Sequence, residues 1–238
     1  LAPILGLPMI ERQIERIDNA RLIERLIVAT SLDPMDDAVA KHVDSIGVEC
    51  FRGSLHDVLD RCYNAAKWSA ATTVVRLTGD CPLADWEIID SAIQLHKEGE
   101  FEYTSNSVVR TFPRGLDVEV MTFDALSEAW REARLPSERE HVTPFLWRQP
   151  ERYPIGKLVQ GRDHSHQRWT VDEPADLEFV RAIYEALYTD NPCFTSQDIM
   201  DLLEIRPELI DINAKVAMHT GEIRSEKEDR KFVQNHPF

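Results

Sequence analysis

The chain has 238 residues, with 27 Lys and Arg against 42 Asp and Glu, a formal charge of −15. That acidity excludes a nucleic-acid-wrapping surface, because phosphates demand a basic footprint. With 43% apolar and 29% charged residues, and no apolar run near the ~20 residues of a membrane span, the composition is that of a soluble globular domain with one sizeable core.

The opening "LAPILGLPMI" has no initiator Met and no signal-peptide pattern, so the sequence reads as cut at its front. "MIERQIERIDNA" then sets Met9, Ile10, Ile14 and Ile17 on one helical face. A strand is expected over 25–31, a helix over 33–47 with Pro34 in its first turn and Gly47 past its last, and a strand over 48–53. After the Arg52-Gly53-Ser54 turn, Ser54 and Asp57 have the spacing of a capping box for the next helix. "TVVRLTGD" (73–80) is a strand that stops at Thr78, Gly79 and Asp80 before the turn at Pro82. Further on, Asp85 begins a helix, 102–106 and 116–123 read as strands, and Asp124 begins another helix. Ser137 starts one with Glu140 as its capping-box partner, 167–172 is a strand, and Pro174 opens the last long helix. Trp130, Trp147, Trp169 and Tyr184 fall in periodic apolar strings and read as core.

Alternation of strand and helix predicts an α/β fold, a mostly parallel sheet with an antiparallel addition. Residues 1–218 form one domain, and the charged tail 219–238 is either a solvated helix or an arm that packs on a partner. Cys50, Cys62, Cys81 and Cys193 show no CxxC pairing, which excludes an obvious zinc site or disulfide framework and fits reduced thiols in the cytoplasm.

In parallel α/β sheets ligands bind beyond the carboxyl ends of the strands, where Asp80 sits. Its carboxylate reads either as a ligand for Mg²⁺ or as the cap of the Cys81-Pro82 turn. Asp172, 92 positions later, ends a second strand and reads either as a partner ligand or as the cap of the helix at Pro174. Asp117 and Glu119 lie two apart on one strand and so on one face: a pair that repels unless a cation, an Arg or ligand hydroxyls neutralise it, or solvated acids over buried Val118 and Val120. Arg114 is placed to pair with them. His164 and His166 alternate without further ligands, a weak metal signal. No GxGxxG or P-loop pattern is present.

Four stretches in order, "RLTGDCPLAD", "TFPRGLDVEVMTFDALSEAW", "LPSEREHVTPFL" and "RWTVDEPADLEFVRAIYE", resemble the cytidylyltransferase-like family named after spore coat polysaccharide biosynthesis protein F. That family is related to the 3-deoxy-manno-octulosonate and acylneuraminate cytidylyltransferases, and the likeness spans about residues 1 to 213. It implies a nucleotide-diphospho-sugar transferase fold (GT-A, Rossmann-like), a three-layer sandwich on a mixed, mostly parallel sheet. It implies a Mg²⁺-dependent enzyme that transfers CMP from CTP to a sugar, expectedly an acidic one, and releases pyrophosphate for cell-surface or spore-coat polysaccharide. Asp80 and Asp172 resemble the relatives' metal-binding aspartates. Arg52, Ser54 and Arg61 resemble base-side groups, with Thr78 and Gly79 on the nucleotide side. Asn106, Arg114, Asp117, Glu119, Arg139 and His141 fall on the acceptor side; His141 alone also reads as a packing residue. Asp176 is expected to complement the helix dipole. Relatives carry an Arg-, Ser- and Lys-containing phosphate loop just before the segment that opens this sequence. They are commonly dimers, so a homodimer is expected. The same fold serves glycosyltransferases, but these hold metal on D-x-D, and the nearest approach here, Asp211-Ile212-Asn213, ends on an amide. A non-catalytic nucleotide-binding homologue is the third reading.

Overall fold

The computed structural model describes residues 1–218 and 220–235. A two-residue hairpin, β1 (Pro3–Ile4) with β2 (Leu7–Pro8), turns at Leu5 and Gly6 and delivers the chain into α1 (Met9–Ile17). β3 (Ile27–Ser31) leads through a 3-10 turn at Pro34–Asp36 into α2 (Asp37–Ser45), and β4 (Glu49–Gly53) returns parallel to β3. α3 (Val58–Trp68), β5 (Thr73–Arg76) and α4 (Trp86–Glu98) follow. Next come β6 (Tyr103–Ser105), β7 (Glu119–Thr122), α5 (Phe123–Glu132), α6 (Pro136–His141), α7 (Pro144–Trp147) and β8 (Ile155–Lys157). The chain ends with α8 (Pro174–Leu187), α9 (Ser196–Ile205), a 3-10 helix at Pro207–Ile212, and α10 (Thr220–Asn235).

The fold is α/β, but the sheet is more mixed than alternation predicts. β5, β7, β6 and β8 form one four-stranded sheet in which β7 is antiparallel to both neighbours and only β6 and β8 are parallel. The cause is the connection from Asn106 to Val118: it doubles back through Pro113–Gly115, so β7 must run against β6. Consecutive residues of β7 face opposite layers. Val120 joins the cluster of α4, α8 and α9 with Trp169 and Tyr184, whereas Met121 joins that of α3, α5 and α7 with Tyr103 and Tyr153. Helices therefore cover both faces of this sheet.

Several boundaries shift. The expected strand at 167–172 shrinks to one parallel bridge between Arg114 and Arg168. α3 is capped by Asp57, whose Oδ1 accepts from the Asp60 amide, while Ser54 Oγ accepts from Asp57 in the preceding turn. α6 begins at Pro136, and Glu138 rather than Glu140 closes its start by accepting from the Arg134 and Leu135 amides. Trp147 is 37% exposed and lies outside the core, unlike Trp169. Of the charged tail, 220–235 forms α10, docked on α6 where Asp229 accepts from the Ser137 amide at 2.9 Å and hydroxyl at 2.6 Å; residues 219 and 236–238 lie outside the described residues.

β3 and β5 are not paired to each other. Residues of α1, β3, α3 and β5 line a cavity of about 640 Å³.

Candidate functional site

Three segments meet beyond the end of β5: Thr78–Cys81, the turn at Pro113–Asp117, and Arg168–Asp172 leading into α8. The joint between the first and third is a backbone bond. The Val171 amide donates to the Asp80 carbonyl at 2.8 Å, and Thr170 Oγ1 donates to Asp80 Oδ2 at 3.1 Å. Asp172, one residue beyond Val171, therefore stands next to the segment that carries Asp80. The second joint needs glycine. Gly115 has φ +105°, and a Cβ there would lie 2.5 Å from the Thr170 nitrogen and the Trp169 carbonyl carbon. On this close approach the Trp169 amide donates to the Arg114 carbonyl at 2.6 Å and the Arg114 amide to Gln167 at 3.0 Å.

Beneath the two candidate ligands lies a charged hub. Asp176, fully buried, accepts from Arg168 Nε at 2.9 Å and Nη2 at 3.0 Å, from Asn213 Nδ2 at 3.0 Å, and from the amides of Asp172 and Glu173. Burial pushes its carboxyl upward, but the Arg168 and amide donors outweigh burial and hold it below the usual carboxylate range. Asp176 thus does more than complement the dipole of α8: it fixes the backbone of Asp172 from below. Arg168 also reaches Asp172 Oδ2 at 2.5 Å, leaving Oδ1 without a hydrogen-bond partner among the described residues, and Asp172 is 55% exposed at its side chain. Asp80 is half-buried, and among the described residues its Oδ1 is met only by the Cys81 thiol at 3.4 Å. The Cys81 thiol is pushed well above its ordinary range by burial and then by the Asp80 charge, so it stays protonated.

A half-buried and a half-exposed carboxylate on adjoining segments suit a hard divalent cation such as Mg²⁺, which takes one or two protein carboxylates and draws its other ligands from water and phosphate. Among the described residues no group of three or more His, Cys, Asp or Glu side chains gathers closely enough to hold a metal by itself.

The other sequence candidates separate into three groups. Thr78 and Gly79 belong to the Asp80 segment; the Thr78 carbonyl accepts from Gln13 and its hydroxyl meets Cys81 at 3.2 Å. Asp117 lies beside the site in a bidentate pair with Arg110, at 2.5 and 2.8 Å. Arg52, Ser54 and Arg61 line the other strand end, around the Ser31–Pro34 loop. Arg52 donates to the carbonyls of Ser31 and Asp33 and pairs with Asp37 at 2.7 Å, and Arg61 donates to the Ser54 carbonyl at 2.6 Å.

Further from the Asp80 segment, Glu119 shares no open face with Asp117; it is buried in a bond to Arg76 and accepts from Tyr103 at 2.7 Å and Thr143 at 2.5 Å. Neither an open acid pair nor a solvated strand describes it. Asn106 is fully buried, its amide spanning the Leu116 carbonyl and Val118 amide. Arg139 clasps Asp57 and the Trp130 carbonyl, and His141 meets Ser225 of α10 at 2.7 Å. Reasoning from sequence passed over Arg110, Thr170, Arg168 and Asn213; only Arg168 gave a signal, its four- and eight-residue spacing to Asp172 and Asp176.

A family model described as cytidylyltransferase matches residues 1–189. An uncharacterized protein of Methanocaldococcus jannaschii is 33% identical over 210 residues, 87% of this chain and 84% of that protein. Spore coat polysaccharide biosynthesis protein SpsF of Bacillus subtilis is 30% identical, covering 78% of this chain and 77% of SpsF. A 3-deoxy-manno-octulosonate cytidylyltransferase of Geobacter sulfurreducens is 36% identical over 95 residues, 39% of this chain and 36% of that enzyme. Among solved structures, a cytidylyltransferase of Leptospira borgpetersenii superposes with a TM-score of 0.83 at 30% identity, over 91% of this chain and 90% of that one. A CMP:2-keto-3-deoxy-manno-octonic acid synthetase complexed with CTP shares the fold, with a TM-score of 0.58 at 18% identity, over 78% of this chain and 91% of that one.

Proposed function

The chain belongs to the cytidylyltransferase family, and from that premise we propose that it transfers CMP from CTP to an acidic sugar with release of pyrophosphate. An oxygen of the sugar forms a bond to the α-phosphorus as the bond from that phosphorus to the bridging oxygen breaks; pyrophosphate leaves and the hydroxyl proton passes to solvent. The observation that carries the reading is the bond from the Val171 amide to the Asp80 carbonyl, which brings the Asp80 and Asp172 segments together at one strand end. Mg²⁺ held by these two carboxylates would neutralise phosphate charge, the main demand of a reaction that needs little covalent help from protein. Asp176 orients Asp172 through its backbone, and Arg168 restrains one carboxylate oxygen while leaving the other for the metal. Arg110, paired with Asp117, and Arg114, in the same turn, stand on the side proposed for an acidic acceptor. Arg52, Ser54 and Arg61, at the other strand end, form the base side.

The fold is read as the nucleotide-diphospho-sugar transferase type (GT-A), supported by helices on both faces of a mixed sheet. Cell-surface or spore-coat polysaccharide is the proposed destination, supported by the SpsF likeness. A homodimer acting in the cytoplasm completes the proposal on family likeness, and sedimentation velocity tests the dimer. The activity test incubates the protein with CTP, Mg²⁺ and a panel of acidic sugars. Pyrophosphate formed with at least one sugar supports the proposal; CTP binding without pyrophosphate assigns a non-catalytic role, and CMP released from a CMP-sugar assigns glycosyl transfer.

A further inference from the structure

We infer that Thr170 is the positioning residue for Asp80: its hydroxyl occupies one carboxylate oxygen, confines Asp80 to a single oxygen for a cation, and so makes the site select Mg²⁺ over Ca²⁺. This rests on the reading of Asp80 and Asp172 as metal ligands. The Thr170 hydroxyl has one proton and two acceptors within reach, Asp80 Oδ2 at 3.1 Å and the Asp80 carbonyl at 3.3 Å. The carbonyl is neutral and already accepts from the Val171 amide at 2.8 Å, so the nearer, charged oxygen takes the proton.

The segment around Thr170 holds that hydroxyl still. The Trp169 amide on one side donates to the Arg114 carbonyl and the Val171 amide on the other to the Asp80 carbonyl, so the backbone is tied at both flanks. Trp169 and Val171 pack into the apolar cluster of α4 and α8, whereas the alternating Arg168, Thr170 and Asp172 make polar contacts. Threonine branches at Cβ, which restricts its first side-chain torsion and keeps the hydroxyl aimed. Asp172 is restrained in the same way from the same stretch: Arg168 Nη2 takes its Oδ2 at 2.5 Å, and its Oδ1 has no hydrogen-bond partner among the described residues. Asp80 Oδ1 meets the Cys81 thiol at 3.4 Å, a weak donor that a cation displaces. Each aspartate therefore offers a cation one oxygen, and neither can chelate with both. Mg²⁺ is small, keeps near-octahedral geometry and is content with single oxygens from one or two carboxylates. Ca²⁺ takes six to eight oxygens and readily uses both oxygens of a carboxylate, an option these donors close.

The test displaces bound Mn²⁺ with Mg²⁺ or with Ca²⁺ at one fixed CTP concentration, followed by electron paramagnetic resonance. The samples are wild type, Thr170→Val, Thr170→Ser, Asp80→Asn and the Thr170→Val, Asp80→Asn double variant. Thr170→Val keeps the shape and loses the hydroxyl, and it should shift the ratio of Mg²⁺ to Ca²⁺ affinity toward Ca²⁺ by about tenfold. Thr170→Ser should stay within about twofold of wild type because the donor remains. In the Asp80→Asn background, adding Thr170→Val should change the ratio no further, since the hydroxyl acts through that carboxylate. The inference is overturned if Thr170→Val moves both affinities together or neither, or if its shift persists without the Asp80 charge. Should Thr170→Val not fold, Thr170→Ala takes its place; if both fail to fold while Thr170→Ser folds, the hydroxyl serves the fold and not the ion, which also overturns it. Asp80→Asn separates the two levels. If it leaves Mn²⁺ binding unchanged, the metal-ligand reading falls and the inference with it; if it weakens binding while Thr170→Val leaves the ratio alone, the inference falls by itself.

Discussion

Asp176→Ala removes the carboxylate that Arg168, Asn213 and two backbone amides share at a position with no solvent access. Arg168, whose side chain is 10% exposed, keeps only its contact to exposed Asp172, and Asn213 loses one of its acceptors. Breaking one side of a buried ion pair costs about 3–5 kcal/mol because the partner charge stays desolvated. With a urea m-value of about 2–3 kcal/mol/M, the midpoint should fall by roughly 1–2.5 M at unchanged m. Asp176→Asn, isosteric but uncharged, should lose about half as much. The pH dependence has a definite sign. The folded carboxyl is held low, so the unfolded chain takes up the proton first; the stabilisation is complete above about pH 4 and is lost as pH falls through the folded value. The Asn variant should lack that component of the acid slope. A midpoint shift below roughly 0.3 M for Asp176→Ala would refute the hub as described.

Gly115→Ala would press a methyl group against the backbone at Trp169–Thr170, which cannot give way as a flexible side chain could, in a left-handed conformation. Differential scanning fluorimetry should show a drop of about 5–10 °C, from a cost of roughly 2–4 kcal/mol, and a midpoint within about 1 °C of wild type would contradict the close approach. Iodoacetamide at pH 8 should label exposed Cys193 readily and leave Cys81 and Cys62 unmodified in the native protein, since burial raises both thiols. Peptide mass spectrometry reads the outcome, and fast labelling of Cys81 would show that Asp80 and its neighbour are more open than described.

Local signals in the sequence are kept where local chemistry decides. Asp85 caps α4 as its position before an amphipathic run dictates, and 73–76 is a strand because its β-branched residues sit between helical patterns. Asp80 lies beyond that strand for the same reason. What sequence reading misses depends on contacts distant along the chain. The 167–172 segment has a strand's composition, yet among the described residues its one bridge is at Arg114, because the turn at Gly115 presents a single residue to it. Glu119 alternates like a surface acid, but its cross-strand neighbour in β7's pairing with β5 is Arg76, which draws it inward. Asn213 and Asp176 are 37 positions apart, so no periodicity could have joined them. Ser54 has a capping serine's spacing, but Asp57 is the stronger acceptor at the point where φ and ψ turn helical.

The most direct measurement is titration of the protein with Mn²⁺, as a spin probe for Mg²⁺, in the presence of CTP, followed by electron paramagnetic resonance. Asp80→Asn and Asp172→Asn should each weaken binding by about tenfold or more while leaving the urea midpoint nearly unchanged, since each removes a charged oxygen ligand from a solvent-facing site. If either variant binds Mn²⁺ with CTP as tightly as the wild-type chain, the two carboxylates do not share a cation.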